Sequence, residues 1–364
     1  MALTDHLASG ELGHWFARRM PGSTALAGEI AAAASTVAPV RPPHAVRVTG
    51  RHWAEVGGTF GLRLAALVQP APPYYALLGL VGNGMITTRA ANAIAAGYPS
   101  HRDLDPADIR RALVMHPVPG GWLAAEPALA DNHSTGWADA ALRDLAARTH
   151  TYHDQHAWTG VLGTAGAERG LARSYGAWSL IEDVYRAGVI GESLLELLDD
   201  PSPTAEQFRA LPPAAVVDEQ PALAARLEHS GALAKLRALA GDPPPGAALG
   251  IAGPPFVRHW ADGDLLVGDT LIDVKTVLRA TDLARVSRWV WQVLSYAWLD
   301  AGADRYRIRA VGLYLARHGI LLRWETAELV SLLVGAHVDH DAVRGEFLAL
   351  ARIAAAADGA SPQV

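Results

Sequence analysis

The residue pattern of the chain changes at the proline run 243–245. Before this run, apolar residues recur at helical spacing in stretches that further prolines divide. After it, residues 248–277 lose that period and contain short β-branched runs of the kind found in strands. A strong helical segment (Asp282 to Asp300) and two strand-like runs (Ile308 to Ala316 and Ile320 to Trp324) follow. This order indicates an α/β or α+β core in the C-terminal part of the chain, and we expect the α/β class, with a mixed sheet flanked by helices.

The proline run also predicts a domain boundary. We expect a mainly helical region over residues 1–245, which is the candidate source of the first helix of the core, and an α/β core with C-terminal helices over residues 246–364. The 364 residues are enough for one large domain or two ordinary ones. Helical patterns include His6 to Arg19, Trp53 to Val68, which contains three unfavourable glycines, and Ala138 to Leu198, which is broken around Thr159 to Gly166.

Composition excludes several classes of protein. The chain contains no cysteine, which rules out disulfides, thiolate catalysis and cysteine-ligated metal centres. No apolar run reaches the roughly 18 residues of a membrane-spanning helix. Residues 1–10 lack a basic segment followed by an apolar block, so no secretory signal is predicted. We therefore expect a cytoplasmic protein without a membrane partner.

Lysine is nearly absent from the chain. Of 31 basic residues, 29 are arginine, and the two lysines are Lys235 and Lys275. Surface positions that need only a positive charge are filled by arginine in such a chain. A remaining lysine therefore marks a position where a compact ammonium with a tunable pKa is useful.

The charge is unevenly distributed. The net charge is −6, yet residues 275–323 contain nine basic and three acidic residues, a local excess of six positive charges. A basic segment of this kind suits an anionic polymer. Arg279, Arg285 and Arg288, with Arg305 and Arg307, are the candidates for contacts to a phosphate backbone.

The segment Ala261 to Thr276 predicts a β-hairpin. Two strand-like runs flank the pair Gly268-Asp269, which is typical of a two-residue type II′ turn. With this turn, Leu266 faces Leu271 and Asp264 faces Asp273. Lys275 then points to the same face as Asp273, because side chains alternate along a strand.

Two directly opposed carboxylates are unfavourable in a sheet unless a cation lies between them. Hard oxygen ligands that leave room for water and phosphate are the ligands that Mg²⁺ prefers. Asp264 and Asp273 are therefore candidate metal ligands, and the sequence leaves open the alternative of a solvated hairpin face with a salt bridge to Lys275.

The spacing of these residues resembles the PD-(D/E)XK nuclease superfamily. An Asp is followed nine residues later by Asp-x-Lys on the next strand, and the following helix contains Gln292 and Tyr296 one turn apart, as in the RecB-type branch. The resemblance covers roughly residues 248–325. The chain departs from the family pattern at two points. It has no proline before the first Asp, and its sequence does not identify the acidic residue that the family's first helix supplies.

This resemblance implies a Mg²⁺- or Mn²⁺-dependent nuclease that hydrolyses phosphodiester bonds of DNA, in phage defence or DNA processing. Asp264, Asp273 and the carbonyl of Val274 would bind the metal, with Glu182 as the favoured helical ligand. Lys275 would orient or deprotonate the attacking water. Gln292 and Tyr296 would brace the site or contact DNA. Independently of the resemblance, Trp289 is a candidate nucleic-acid contact that could stack on a base, because it lies on the same helix face as Gln292.

Three alternatives remain open at this point. The chain could be a catalytically inactive nuclease-fold subunit that binds DNA or protein in a defence or repair assembly. It could also be a helical interaction protein whose hairpin is purely structural. Finally, His150, His153 and His156 are spaced for a zinc site on a helix, although a polar helix end explains them more simply. DNA is the expected partner, and protein partners or self-association are left open.

Overall fold

The computed structural model describes residues 2–43, 48–98, 116–118, 122–124, 136–187, 190–198, 200–257, 260–302, 304–335 and 337–360. The helices in these residues are α1 (Leu3–Ser9), α2 (Glu11–Arg19), α3 (Ser23–Ser35), α4 (Gly50–Val68), α5 (Tyr74–Gly82), α6 (Thr88–Ala95), α7 (Asp139–His156), α8 (Ala165–Ala187), α9 (Glu192–Leu198), α10 (Ala205–Ala210), α11 (Ala214–His229), α12 (Ala232–Leu239), α13 (Leu283–Ala301), α14 (Thr326–Val334) and α15 (His340–Ala357).

The strands are β1 (His116–Val118), β2 (Trp122–Ala124), β3 (Gly250–Ala252), β4 (Pro255–Val257), β5 (Ala261–Asp262), β6 (Leu265–Val267), β7 (Thr270–Lys275), β8 (Ala310–Leu315) and β9 (Ile320–Glu325). The predicted α/β class is confirmed, with a mixed five-stranded sheet in the C-terminal half of the chain. Among the described residues, no helix is both long and apolar enough to cross a membrane.

The chain folds as two compact units that do not follow a single boundary in sequence. Unit 1 comprises residues 1–40, 229–241 and 253–364, and unit 2 comprises residues 41–228 and 242–252. This division differs from the predicted boundary at residues 245 and 246, because the first 40 residues belong to the same unit as the C-terminal strands.

Four strands of the sheet belong to unit 1, in the order β6-β7-β8-β9. β6 and β7 form an antiparallel hairpin, β7 and β8 run parallel, and β8 and β9 are antiparallel. α13 makes the crossover between the two parallel strands, which cannot be joined by a tight turn. All six residues of β8 are buried, as expected for a central strand covered on both faces.

The N-terminal helices of unit 1 complete its core. Ser23, the first residue of α3, accepts a 2.8 Å hydrogen bond from Nε1 of Trp291 in α13. Phe16 of α2 stacks on the rings of Trp291 and Trp298, and Phe347 of α15 contacts Phe16 at 5.7 Å between ring centroids. These aromatic contacts bury one side of α13, so its opposite side is available for the sheet and the site described below.

Unit 2 is mainly helical, and α4, α5 and α8 pack together around its apolar core. Small residues permit the close approach: a Cβ at Gly58 would lie 2.1 Å from Oγ of Ser179. The core includes the fully buried Trp178 and Leu77. Buried charged residues also line this packing, among them Arg63, which forms a two-point ion pair with Glu168 at 2.8 and 2.9 Å.

Most helices lie where their sequence patterns predicted them. α4 covers the predicted stretch Trp53 to Val68, and the break predicted around Thr159 to Gly166 separates α7 from α8. The stretch His6 to Arg19 is an exception, since it contains parts of two helices. Gly10 lies between α1 and α2 in an extended conformation. Glycine is unfavourable in the interior of a helix, which fits a break at this residue.

Candidate functional site

The β6–β7 hairpin has the predicted register. Leu266 pairs with Leu271, and Val267 pairs with Thr270, which leaves Gly268 and Asp269 as the two-residue turn. Gly268 has a φ of +59°, and Asp269 does not share a positive φ, which fits a type II′ turn. Extending this register by one step beyond Leu265 places Asp264 across from Asp273.

The two carboxylates differ in their environment. Asp273, within β7, is only 2% exposed. Asp264 immediately precedes β6 and is exposed to solvent, with its Oδ2 accepting a 2.6 Å hydrogen bond from the Val274 backbone N–H. The pair therefore presents one enclosed and one open carboxylate to the same region.

Lys275 connects the hairpin to helix α13. Its Nζ lies 2.7 Å from Oδ2 of Asp273 and donates a 3.0 Å hydrogen bond to Oε1 of Gln292. The ammonium keeps a partial opening to solvent, with 17% of the side chain exposed. Oδ2 of Asp273 is buried and has an ion-pair contact but no hydrogen-bond partner among the described residues. This oxygen retains capacity for a further ligand.

The predicted Gln-x-x-x-Tyr pair is joined by a hydrogen bond. Nε2 of Gln292 donates to Oη of Tyr296 at 2.9 Å, so the glutamine has both ends of its amide engaged. Tyr296 is 4% exposed and stacks on Phe256 of β4 at 5.3 Å. The hydroxyl of a buried tyrosine usually has a hydrogen-bond partner, and here that partner is the Gln292 amide.

Burial and neighbouring charges shift the pKa values of three groups in the site, Asp264, Asp273 and Tyr296. Desolvation and, second, the charge of Asp273 raise the pKa of Asp264 to about 7, against lowering by Lys275 and the Val274 N–H. Desolvation also raises the pKa of Asp273, and Lys275 opposes that increase. Desolvation raises the pKa of Tyr296, so its hydroxyl stays neutral.

The remaining predicted metal ligands are Val274 and Glu182. Val274 follows Asp273 in β7, and its N–H is engaged by Asp264. Glu182 belongs to α8 in unit 2, where it pairs with Arg186, and its role as a ligand stays a prediction. In the described part of the chain, no group of three or more His, Asp or Glu side chains is arranged to hold a metal ion.

The predicted nucleic-acid contacts lie around the beginning of α13. Arg279 is exposed in the loop after β7, while Arg285 and Arg288 lie two turns and one turn before Gln292 on the same helix side. Trp289 is 6% exposed, and the guanidinium of Arg285 lies 5.7 Å from its ring centroid. Trp289 is thus a buried support for Arg285 in this structure.

Arg305 and Arg307 lie at the other end of the sheet. They precede β8, whose first residue pairs with Thr270, whereas Lys275 pairs with the last residue of β8. Five strand steps separate the two ends, roughly 17 Å. These two arginines therefore cannot contact the same phosphate as Lys275.

The three histidines of α7 do not converge. His153 is 2% exposed, whereas His156 is exposed and its ring contacts that of Tyr152 at 4.5 Å. His150 lies 3.4 Å from Asp154. The predicted alternative of a zinc site has no converging ligand set among these side chains.

Sequence reasoning missed two residues that support the site. Phe256 stacks on Tyr296, and Arg317, in the turn between β8 and β9, hydrogen-bonds to the carbonyl of Thr276 next to Lys275. Arg317 was visible in sequence only as one basic residue between two apolar strand runs. Phe256 was one apolar residue in a short strand, with no signal for its partner.

Comparisons with known proteins give no further guide: no family model, no curated protein and no solved structure matches this chain.

Proposed function

We propose that this protein is a metal-dependent nuclease that hydrolyses phosphodiester bonds of DNA, with a PD-(D/E)XK-type site of the RecB-type branch. The observation that carries the proposal is the position of Lys275, which is held between Asp273 and Gln292 at 2.7 and 3.0 Å, beside a second carboxylate. An ammonium, a pair of carboxylates and a neutral amide form a site that can orient water against a phosphate.

The side chains present fit a divalent cation. Asp264 and Asp273 supply hard oxygen donors on one face of the hairpin, and Oδ2 of Asp273 is a buried oxygen that contacts the Lys275 ammonium at 2.7 Å without the geometry of a hydrogen bond. Desolvation raises the pKa of both carboxylates, and the positive charge of a bound cation would lower both values. Asp264, Asp273 and the Val274 carbonyl would hold Mg²⁺ or Mn²⁺, which when bound supplies charge stabilisation to a phosphate undergoing hydrolysis.

The chain's own residues position the other reactants. Lys275 offers N–H groups to an incoming water or a phosphate oxygen, and its pairing with Asp273 fixes its direction. Oε1 of Gln292 accepts a hydrogen bond from the Lys275 ammonium, and Nε2 of Gln292 donates one to the Tyr296 hydroxyl, which holds the amide in place. This orientation lowers the entropic cost of bringing water and phosphorus together. Hydrolysis then forms one P–O bond to the water oxygen and breaks one to the leaving oxygen, while the water gives up one proton and the leaving oxygen takes up one proton.

The charge distribution favours unit 1 over unit 2 as the unit that binds an anionic polymer. Unit 2 contains 15 basic and 21 acidic residues and so carries the whole net charge of −6, whereas unit 1 contains 16 of each. Within unit 1, Arg279, Arg285 and Arg288 lie near the hairpin and the start of α13. We propose that these arginines contact the phosphate backbone.

The direct test is cleavage of single- and double-stranded DNA and RNA with Mg²⁺, Mn²⁺ or EDTA. The wild type is expected to cleave DNA only with metal, and Asp273→Ala and Lys275→Met are expected to abolish cleavage. Asp269→Ala is the matched control, because Asp269 is an exposed carboxylate in the turn of the same hairpin. Cleavage by Asp273→Ala at the wild-type rate would contradict the proposal.

A second candidate function is a nuclease-fold subunit that binds DNA or protein without cutting. This candidate is favoured because, among the described residues, no third acidic side chain is arranged with Asp264 and Asp273 to hold a metal ion. Metal-independent DNA binding without turnover would support it. If Asp264→Asn raises thermal stability and Mg²⁺ changes nothing, the hairpin is instead purely structural.

A further inference from the structure

Arg317 is fully buried at the end of the sheet where Lys275 lies. It occupies the tight turn between β8 and β9, and its exposed fraction is 0%. Its Nε donates a 3.0 Å hydrogen bond to the Thr276 carbonyl, and its Nη1 donates a 2.9 Å hydrogen bond to the Val40 carbonyl. One side chain thus joins the residue after Lys275 to residue 40.

The backbone of the same turn reinforces this connection. The Ala316 N–H donates to the Lys275 carbonyl at 2.9 Å, and the Val40 N–H donates to the Arg317 carbonyl at 2.9 Å. The carbonyls of both Lys275 and Thr276 are therefore bound by residues 316 and 317. The turn is closed by hydrogen bonds from His318 and Gly319 to the Leu315 carbonyl.

An arginine is an expensive choice for a fully buried position. Removing a guanidinium from water is unfavourable unless its N–H groups form good hydrogen bonds. An apolar side chain would fill the same volume without this desolvation free energy. The planar fork of arginine can bond to two carbonyls at once, which the point charge of lysine does not reproduce. The carbonyls of Thr276 and Val40 are therefore two partners that favour arginine at this position.

We propose that Arg317 is a positioning residue for Lys275. By fixing the backbone at Thr276, it holds the end of β7 so that the Lys275 ammonium stays at 2.7 Å from Asp273 and 3.0 Å from Gln292. The consequence for catalysis rests on the proposed nuclease function, whereas the placement of Lys275 does not.

The scarcity of lysine makes this placement measurable without any activity. Lys235 and Lys275 are the two lysines of the chain, and Lys235 is exposed on α12. The acylation rate of each amine by acetic anhydride can be followed by peptide mass spectrometry in the wild type, Arg317→Met and Arg317→Lys. Arg323→Met is the matched control, since Arg323 also bonds to β7, but at Thr270 at its opposite end.

We expect Arg317→Met to raise the acylation rate of Lys275 several-fold, with Lys235 unchanged and Arg323→Met equal to wild type. Arg317→Lys is expected to give an intermediate rate, and it serves as the test if Arg317→Met does not fold. An unchanged Lys275 rate, or an equal rise at both lysines, overturns the proposal, because the first denies positioning and the second indicates general loosening.

Kinetics supply the second readout. For DNA cleavage, Arg317→Met should lower kcat on the order of tenfold or more with KM unchanged, because a displaced catalytic group slows the chemical step. Wild-type kcat in a folded Arg317→Met variant would overturn the catalytic part. If the wild type cleaves no nucleic acid, the proposed function fails, and the acylation rates still decide whether Arg317 positions Lys275.

Discussion

Lys275 and Gln292 are joined by a 3.0 Å hydrogen bond, although 17 residues separate them in the chain. The first ends strand β7 and the second lies in the middle of helix α13, so the helix determines where the ammonium points. Gln292 is in turn bonded to Tyr296, one turn further along α13. The orientation of the candidate catalytic lysine therefore depends on a hydroxyl that does not contact it.

Removing this hydroxyl tests the connection. Tyr296→Phe keeps the ring on Phe256 and leaves Nε2 of Gln292 without its acceptor, which should cost about 1 kcal/mol of stability. We expect kcat for DNA cleavage to fall about tenfold with KM unchanged. Steady-state kinetics and urea unfolding measure the two effects.

Tyr306→Phe provides the control for the loss of a buried hydroxyl. Oη of Tyr306 donates to the Pro255 carbonyl at 3.0 Å and does not touch Gln292. This variant should lose a similar amount of stability and keep its kcat. Equal kinetic losses in both variants would show that Tyr296 has no particular connection to Lys275.

Gly268 should not tolerate a side chain. Its φ of +59° is strained for other residues, and a Cβ would lie 2.3 Å from the Leu239 carbonyl oxygen. We expect Gly268→Ala to destabilise the fold by about 2 kcal/mol or more, measured by urea unfolding. Gly345→Ala, in α15 with open space around it, should instead be neutral or slightly stabilising. Comparable effects from both changes would contradict this account of the turn.

The hairpin and its carboxylate pair could be predicted from sequence because they depend on local rules. A two-residue turn fixes the register, and strand alternation then places Asp264, Asp273 and Lys275 on one side. The helix period similarly placed Gln292 and Tyr296 on one face. These rules need only a few neighbouring residues.

The remaining features depend on packing between distant parts of the chain. No local pattern shows that Ser23 bonds to Trp291, that Arg317 bonds to Val40, or that residues 1–40 belong to unit 1. Such contacts depend on the complementary shapes of surfaces that sequence periodicity does not describe. The division into units therefore differs from the boundary expected at the proline run.

The buried ion pair of unit 2 should be costly to break on one side. Arg63 and Glu168 are 4% and 3% exposed in their side chains. Arg63→Met leaves a buried carboxylate without its counter-charge and should cost about 3–5 kcal/mol. Adding Glu168→Gln should recover most of this loss, since Gln keeps an acceptor for the Gly163 N–H. Chemical unfolding of the four species of this double-mutant cycle measures the coupling.

The exposed pair Arg148–Asp144 supplies the comparison. Arg148→Met should leave stability almost unchanged, because solvent screens an exposed pair. A loss as large as that of Arg63→Met would indicate that burial is not the cause.

His153 should make unit 2 sensitive to acid. Burial and the charge of nearby Arg63 lower the pKa of His153 from 6.5 to about 4, although Asp154 opposes the change and His150 adds to it. The unfolded chain therefore binds this proton more readily than the folded one. The corresponding stability is fully present above pH 6.5 and is lost as the pH falls towards 4, by roughly 3 kcal/mol in total.

Urea unfolding between pH 7.5 and 4 tests this prediction. His153→Met should lack this part of the pH dependence, whereas His156→Met, at an exposed position of the same helix, should retain it. A His153→Met variant with the wild-type pH dependence would contradict the assignment to His153.

The discontinuity of unit 1 has a consequence for the order of events during protein synthesis. Helices α1 to α3 leave the ribosome early, but the strands and the helix that bury them begin only after residue 253. At ordinary translation speeds of about 5–20 residues per second, the apolar sides of these helices wait on the order of 10–40 s for their partners. Unit 2 can meanwhile collect most of its own residues and fold first. In a nascent chain of this design the hairpin, and with it the proposed cleavage site, is completed only after the residues of unit 2 have been synthesised.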